Sequence, residues 1–277
     1  MRKWKKMMVT TGMFLLMGLV VGCGNTKEVA KEAGKDTSLE DIQKKGKFIL
    51  GLDASFPPMG FRDETNEIVG YDIDLAREVC DRMGVELVVQ PISWASNQQE
   101  LDSKNIDCIW NGLGVSEERK QLMTISAPYM NSHQVLIVEA NSPYQTKEDL
   151  DGKVLVTQKG STSIISLEKE ENIEFKNKLK EVVLVEDNIK ALKDLQMGSD
   201  VAVMSEVLAD YYLKDRQDEY RILKEYIDDG EMVIGFRKGE EALKNEVEKQ
   251  LKEMVKDGTM KKIDEKWFGR EVSTINE

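Results

Sequence analysis

The sequence predicts an α/β protein built as two α/β units in series, with largely parallel sheet covered by helices on both faces. From residue 38 onward, short β-branched runs alternate with amphipathic stretches, and the alternation restarts once near residue 134. The 277 residues, 40% of them hydrophobic, are enough for one large or two medium domains with real cores. Strand and helix signals in regular alternation favour parallel strands buried on both sides.

In the first unit FILGLD (48–53) reads as a strand. YDIDLAREVCDRM (71–83) reads as a helix, with Ile73, Ala76, Cys80 and Met83 along one face. ELVVQPI is a strand, NQQELDSK a helix, DCIW a strand and SEERKQLM a short helix with Ser116 as its N-cap. In the second unit QVLIV (134–138), KVLVT (153–157), EVVLV (181–185) and DVAVM (200–204) are strands. Helices are expected near TKEDL, from Ser161, over NIKALKDLQM and over EVLADYYL. EMVIGF (231–236) is a last strand, followed by a helical tail that breaks near Asp257-Gly258.

The first residues read as an address. Arg2, Lys3, Lys5 and Lys6 precede the apolar run MFLLMGLVV, and Cys23 follows a small residue in VVGC. That order predicts a secretory signal peptide cleaved before Cys23, and the apolar run is short for a bilayer core of roughly 30 Å. Residues 24–37 (GNTKEVAKEAGKDT) are small, charged and aromatic-free, as a flexible tether is.

Charge and histidine content exclude several functions. Fifty-one acidic against 39 basic side chains give a net charge of −12, so a nucleic-acid binder with a basic surface is not expected. Cleavage before Cys23 removes four basic and no acidic residues and leaves −16. His133 is the only histidine, which argues against zinc hydrolysis and Ser-His or Cys-His nucleophiles. The three cysteines, at 23, 80 and 108, form no CxxC, so neither a metal site nor a cofactor is expected. Cys80 and Cys108 fall on inward-facing positions, where buried thiols pack as small hydrophobes; export leaves a disulfide between them open.

VVGC resembles the bacterial lipobox, with Val20 at the position more often Leu; the resemblance implies a diacylated Cys23 as the new N-terminus and hence anchoring to the cell membrane. Three further segments resemble the family 3 extracellular solute-binding proteins, the polar-amino-acid receptors of ABC importers. They are ILGLDASFPPMGF with NEIVGYDIDLAREV, then LDSKNIDCIWNGLGVSEERKQLMTISAPYM, then DLDGKVLVTQKGSTS. DGTMKKIDEKWFG resembles that family's closing helix. The resemblance implies a two-lobed periplasmic-binding-protein-like fold of type II, two α/β domains joined by two hinge strands near 133–138 and 228–233. The corresponding division is a lipoprotein signal peptide at 1–22 and an anchored tether at 23–37. Lobe 1 then covers 38–133 and 234–277, and lobe 2, with its hinge strands, 134–233.

The same resemblance assigns a site. Arg119, in GVSEERK, matches the arginine that grips the ligand carboxylate, a task suited to a permanently charged bidentate fork; on residues alone a surface arginine paired with Glu117 or Glu118 is the better reading, and the motif reverses that. Gly112, Gly114, Ser161 and Thr162 are candidates to offer backbone N–H groups, with Asn111 beside them. Thr162 matches the lobe 2 threonine that closes over the carboxylate, and it could also cap its helix. Phe56 and Trp94 are candidates to pack the ligand body, with Trp110 divided between site and core. Asp53 ends the first strand, where it could meet a ligand ammonium or cap the following turn.

Two residues depart from the family pattern. Gly114 stands where a hydroxyl side chain is frequent. Ser205 stands where an acidic residue holds the α-ammonium, with Glu206 next to it but starting on the opposite strand face. The departure either shifts the ammonium toward Asp53 or opens the way to a ligand without a free α-amine, such as a carboxylated or N-substituted amino-acid derivative.

The expected function is therefore a lipid-anchored, monomeric substrate-binding protein of amino-acid transport, outside the cytoplasmic membrane, on a Gram-positive surface. It would capture a polar amino acid or related small carboxylate and pass it to an ABC permease, with no catalysis. Two alternatives remain: a cyclohexadienyl-dehydratase-like enzyme on the same scaffold, needing a cleft acid such as Asp53 or Glu206, or a ligand-sensing subunit for a signalling receptor.

Overall fold

The computed structural model describes residues 35–276. The signal peptide, Cys23 and most of the proposed tether lie outside them. The fold takes hold at Asp36, whose carboxylate accepts from the backbone N–H groups of Ser38 and Ala242.

In chain order the elements are α1 (Ser38–Lys45), β1 (Lys47–Leu52), the short strands β2 (Ser55–Phe56), β3 (Gly60–Arg62) and β4 (Ile68–Val69), and α2 (Tyr71–Met83). Next come β5 (Glu86–Pro91), α3 (Asn97–Asp102), β6 (Cys108–Gly114), α4 (Glu117–Leu122), β7 (Met123–Ile125) and β8 (Met130–Glu139). They are followed by β9 (Val154–Gln158), α5 (Thr162–Leu167), α6 (Glu170–Lys178), β10 (Glu181–Val185), α7 (Asn188–Leu195), β11 (Val201–Ser205) and α8 (Glu206–Leu213). The chain ends with β12 (Tyr220–Arg237), α9 (Glu241–Lys256) and α10 (Thr259–Phe268). TKEDL forms a single 3-10 turn, Glu148–Leu150, because its run of polar residues gives only Leu150 to bury.

The strands form one continuous path in the order β10, β9, β11, β8, β12, β6, β1, β5, with β7 also on β12. Strands β1, β5 and β6 pair in parallel, as do β9, β10 and β11. Between these two parallel groups run β8 and β12, antiparallel to each other. β12 extends the predicted EMVIGF strand back to Tyr220, which makes it 18 residues long. Its end from Met232 pairs with β6, and β8 pairs with β11 from Gln134 to Ile137. Residues 130–133 and 229–232, paired with each other, therefore carry the chain from one group to the other.

Each group has its own core. Around β1 and β6, Phe48, Leu50, Leu52 and Trp110 pack against Ile73 and Val79 of α2 and Leu243 and Val247 of α9. Fully burying such a side chain stabilises the fold by about 1.5–3 kcal/mol. Around β9 and β11 the core divides between the two sheet faces. Val156, Ala202 and Met204 meet α7 and α8 on one face, while Leu155, Val201 and Val203 meet Leu167 on the other. That division is the period-2 alternation of strands buried on both sides. Cys80 and Cys108 are buried free thiols.

Candidate ligand-binding site

The ends of β1, β6, β9 and β11 converge between the two lobes. There Phe56, Trp94, Asn111, Gly112, Ser161, Thr162 and Ser205 surround a cavity of about 30 Å³, room for a water or two. Arg119 and Asp53 stand one hydrogen bond behind this wall. Arg119 donates to Thr162 Oγ1 at 3.0 Å, and Gln158, itself in the wall, donates to Asp53 Oδ2 at 2.7 Å.

Arg119 follows the N-cap Ser116, whose Oγ accepts its backbone N–H. The side chain turns inward and is 5% exposed. Its guanidinium donates to the carbonyls of Gly114 (2.6 Å) and Gly160 (3.1 Å). Among the described residues it forms no ion pair, so neither Glu117 nor Glu118 holds it. Burial pushes its pKa down to about 10. A buried cation that meets only neutral acceptors favours an anion wherever one can reach it.

Thr162 begins α5, but its cap is Ser161, whose Oγ accepts the Ile164 N–H. The Thr162 hydroxyl is thereby left to face Arg119 across the lobes. Two glycines permit this approach. A Cβ on Gly114 would stand 2.2 Å from Thr162 Oγ1, and one on Gly160, at φ +72°, would stand 3.2 Å from Ala95 Cα. The departure at Gly114 is thus also the space that Thr162 occupies.

The Gly112 N–H does not face a ligand. It donates to Asp72 Oδ2 at 2.8 Å, so Gly112 contributes wall and not a free donor. Tyr129 Oη donates to the same oxygen at 3.0 Å. Burial nevertheless raises the Asp72 pKa to about 7, against the lowering effect of these two donors. Asp53 serves its turn and the other lobe at once: Oδ1 accepts from the N–H and Oγ of Ser55, and its own N–H donates to Asn111 Oδ1. Trp110 belongs to the core, fully buried with its ring edge-on to Tyr129 at 6.4 Å.

Ser205 pairs with Ser132, their hydroxyl oxygens 2.7 Å apart. Glu206 starts α8 outside this wall. It borders a larger opening of about 900 Å³, which also takes in His133, Asp210 and Arg270 and shares no residue with the small cavity. His133 lies there on β8, its Nδ1 2.7 Å from Asp229 Oδ1 and its ring stacked on Tyr226 at 4.7 Å.

Gln134, Gln158, Ser163 and Asn188, none of which the family resemblance assigns to the site, complete the cavity wall. All four are buried and paired: Ser163 donates to Gln134 Oε1 at 2.6 Å, and Asn188 donates to Gln158 Oε1 at 2.9 Å. Gln134 and Gln158 are polar residues at the ends of the apolar runs QVLIV and VLVTQ, a signal that marks a sheet edge facing a site.

The family model of the bacterial extracellular solute-binding proteins, family 3, matches residues 48–270. The chain belongs to that family. Its fold is the family's two-lobed type II α/β architecture, and it resembles a Streptococcus pneumoniae ABC uptake transporter substrate-binding protein with bound histidine. That likeness has a TM-score of 0.82 at 32% identity, over 87% of this chain and 99% of the other. The L-cystine-binding protein TcyA of Bacillus subtilis is 30% identical, over 97% of this chain and 99% of its own length. The L-cystine-binding protein TcyJ of Escherichia coli is 28% identical, over 93% and 96%. No helix among the described residues is long and apolar enough to cross a membrane.

Proposed function

We propose that this chain is the substrate-binding lipoprotein of an ABC importer, capturing a polar amino acid or related small carboxylate between its lobes. The observation that carries this reading is Arg119. It is a buried guanidinium, without a carboxylate partner among the described residues, bonded across the cleft to Gly160 and Thr162. A ligand carboxylate would take the place of neutral acceptors, and β8 and β12 would let the lobes part and close around it. The named relatives that bind cystine and histidine support an amino-acid-like cargo.

Asp53, Phe56, Trp94, Asn111, Gly112, Gly114, Arg119, Ser161, Thr162 and Ser205 form the proposed contact set, with Gly114 acting through its carbonyl and its missing Cβ. Lobe 1 is taken as 38–133 with 234–277, and lobe 2 as 134–233. Lipidated Cys23 would tether a monomer to the outer face of a Gram-positive cell membrane, beside its permease. Capture is favoured over dehydration because both oxygens of Asp53 are engaged and Glu206 borders the other opening, so neither stands free as a cleft acid.

Thermal denaturation of the chain against a panel of amino acids and small carboxylates tests the reading. At a hundredfold excess over Kd a ligand adds about 2.7 kcal/mol to stability, which raises the melting temperature by roughly 5–10 °C. A panel that leaves the melting temperature unmoved would refute the proposed function. Labelling with palmitate should mark the wild-type chain in cells and fail on Cys23→Ser.

A further inference from the structure

Helix α8, in lobe 2, turns one face toward lobe 1. Val207 and Tyr211 stand at i and i+4 and so share that face. Val207 packs against the core of lobe 1, and the Tyr211 ring lies against Phe61 of β3, with centroids 5.6 Å apart and planes tilted by 57°. Phe61 is braced from its own lobe. Its ring meets Trp267 of α10 edge-on at 6.1 Å, and Trp267 Nε1 donates to Asp74 Oδ2 at 2.7 Å. Next along α8, Tyr212 Oη donates to the Ser55 carbonyl at 3.3 Å, and Ser55 is the partner of Phe61 in the β2–β3 pairing. A ring pair and a hydrogen bond thus run from the β2–β3 hairpin of lobe 1 to α8.

Phe61, Tyr211 and Tyr212 do not line the ligand cavity. Their contact is a strut with open space on both sides: Tyr211 borders the opening of about 900 Å³ and another of about 520 Å³, the latter shared with Phe61. Tyr211 is 44% exposed, so parting the rings wets little new surface, which suits a contact made and broken repeatedly. Both partners nevertheless sit on elements that carry the cavity wall. β2 holds Phe56, which packs against the cores of both lobes, and α8 starts from Ser205 as its N-cap. A tilted ring pair at this distance stabilises beyond the area it buries. A pair that spans two lobes adds that stability only to the arrangement in which the lobes are shut.

We infer that Phe61 and Tyr211 form a latch outside the ligand cavity, positioning residues that prolong the closed state and so lengthen the ligand's residence without touching it. The inference rests on the proposed function and adds to it a control of release. Affinity is then divided between the wall, which recognises the ligand, and the latch, which is indifferent to its identity.

Stopped-flow association and dissociation of the tightest ligand of the panel tests this in wild type, Phe61→Ala, Tyr211→Ala and the double variant. Each single variant should release the ligand about 2- to 10-fold faster, with association changed by less than about twofold. The double variant should release no faster than the faster single variant, because both changes remove one contact. Tyr211→Phe, which keeps the ring, should release at the wild-type rate. Unchanged release from Tyr211→Ala, or effects that multiply in the double variant, would overturn this inference and leave the proposed function standing. A wild-type chain that binds nothing in the panel would overturn both. If Phe61→Ala does not fold, Tyr211→Ala against Tyr211→Phe decides the matter alone.

Discussion

Gln158 Nε2 donates to Asp53 Oδ2 at 2.7 Å, joining the end of β9 to the loop after β1 across the interlobe cleft. The Gln158 side chain is otherwise held within its own lobe. Its Nε2 also meets the Glu186 carbonyl, and its Oε1 accepts from Asn188. It is therefore preorganised to meet Asp53 when the lobes are shut. Removing it with Gln158→Ala should cost the closed state a charge-assisted hydrogen bond, about 1.5–3 kcal/mol. Ligand affinity should fall roughly 10- to 100-fold, chiefly through faster dissociation in stopped-flow measurements. An unchanged dissociation rate would show that this bond does not hold the cleft.

Gly114 should tolerate no side chain in the closed state, although it lies in an ordinary strand. A Cβ there falls 2.2 Å from Thr162 Oγ1, in the other lobe. Gly114→Ala is expected to spare the fold and oppose closure, so apparent affinity drops by the lost fraction of closing-competent protein, at least about tenfold. Small-angle scattering with ligand should then report a larger radius than wild type. A variant that closes normally would mean that Thr162 can move aside without penalty.

The element pattern was legible because it rests on local rules, whereas the proposed contact set came from motifs that resemble the family's. Helices such as α2 and α8 follow from apolar spacing, and the break between α9 and α10 follows from Asp257-Gly258. Arg119 and Thr162 were legible through the motifs around them. The long β12 was not, because residues 220–230 are rich in charge and reveal no strand alternation until they pair with β8. Nor could spacing show that the Gly112 amide is taken by Asp72, forty residues earlier, or that Gln158 and Asn188 support one another. Those are tertiary facts, fixed by which strand ends meet. Trp110 is ambiguous in the sequence for the same reason: alternation tells which face it shares, but not that Tyr129 covers it.

Asp72 ties stability to pH. Its carboxyl is buried, Oδ2 accepts from Gly112 and Tyr129, Oδ1 has no partner, and its pKa is raised to about 7. The folded state thus holds a proton that the unfolded chain releases near the ordinary carboxyl value of about 3.9. This contribution to stability is fully present below that value and is lost as pH rises through about 7. Denaturant titrations should show wild type losing stability between about pH 4 and about pH 7 and levelling off above that. Asp72→Asn, which can still accept from Gly112 through Oδ1, should flatten that decline. Parallel profiles for the two proteins would place the proton elsewhere.

Asp264 closes the C-terminal end of lobe 1. Its Oδ1 accepts from Tyr71 Oη at 2.8 Å, and its Oδ2 accepts the Val272 and Ser273 N–H groups. Ser273 in turn bridges to Met130, at the start of the hinge strand β8. Asp264→Ala should destabilise the chain by about 2–4 kcal/mol, since it strands buried donors. Hydrogen exchange should rise at residues 270–276 first. Uniform exchange throughout the chain would instead indicate that the segment is not held by this carboxylate.

If Arg119 receives the ligand carboxylate, titration calorimetry with the tightest ligand from the panel will separate wild type from Arg119→Ala. Binding to wild type should be saturable and one-to-one, and affinity should fall at least about 100-fold in the variant, with no product formed. Equal affinity in the two proteins would contradict that role for Arg119.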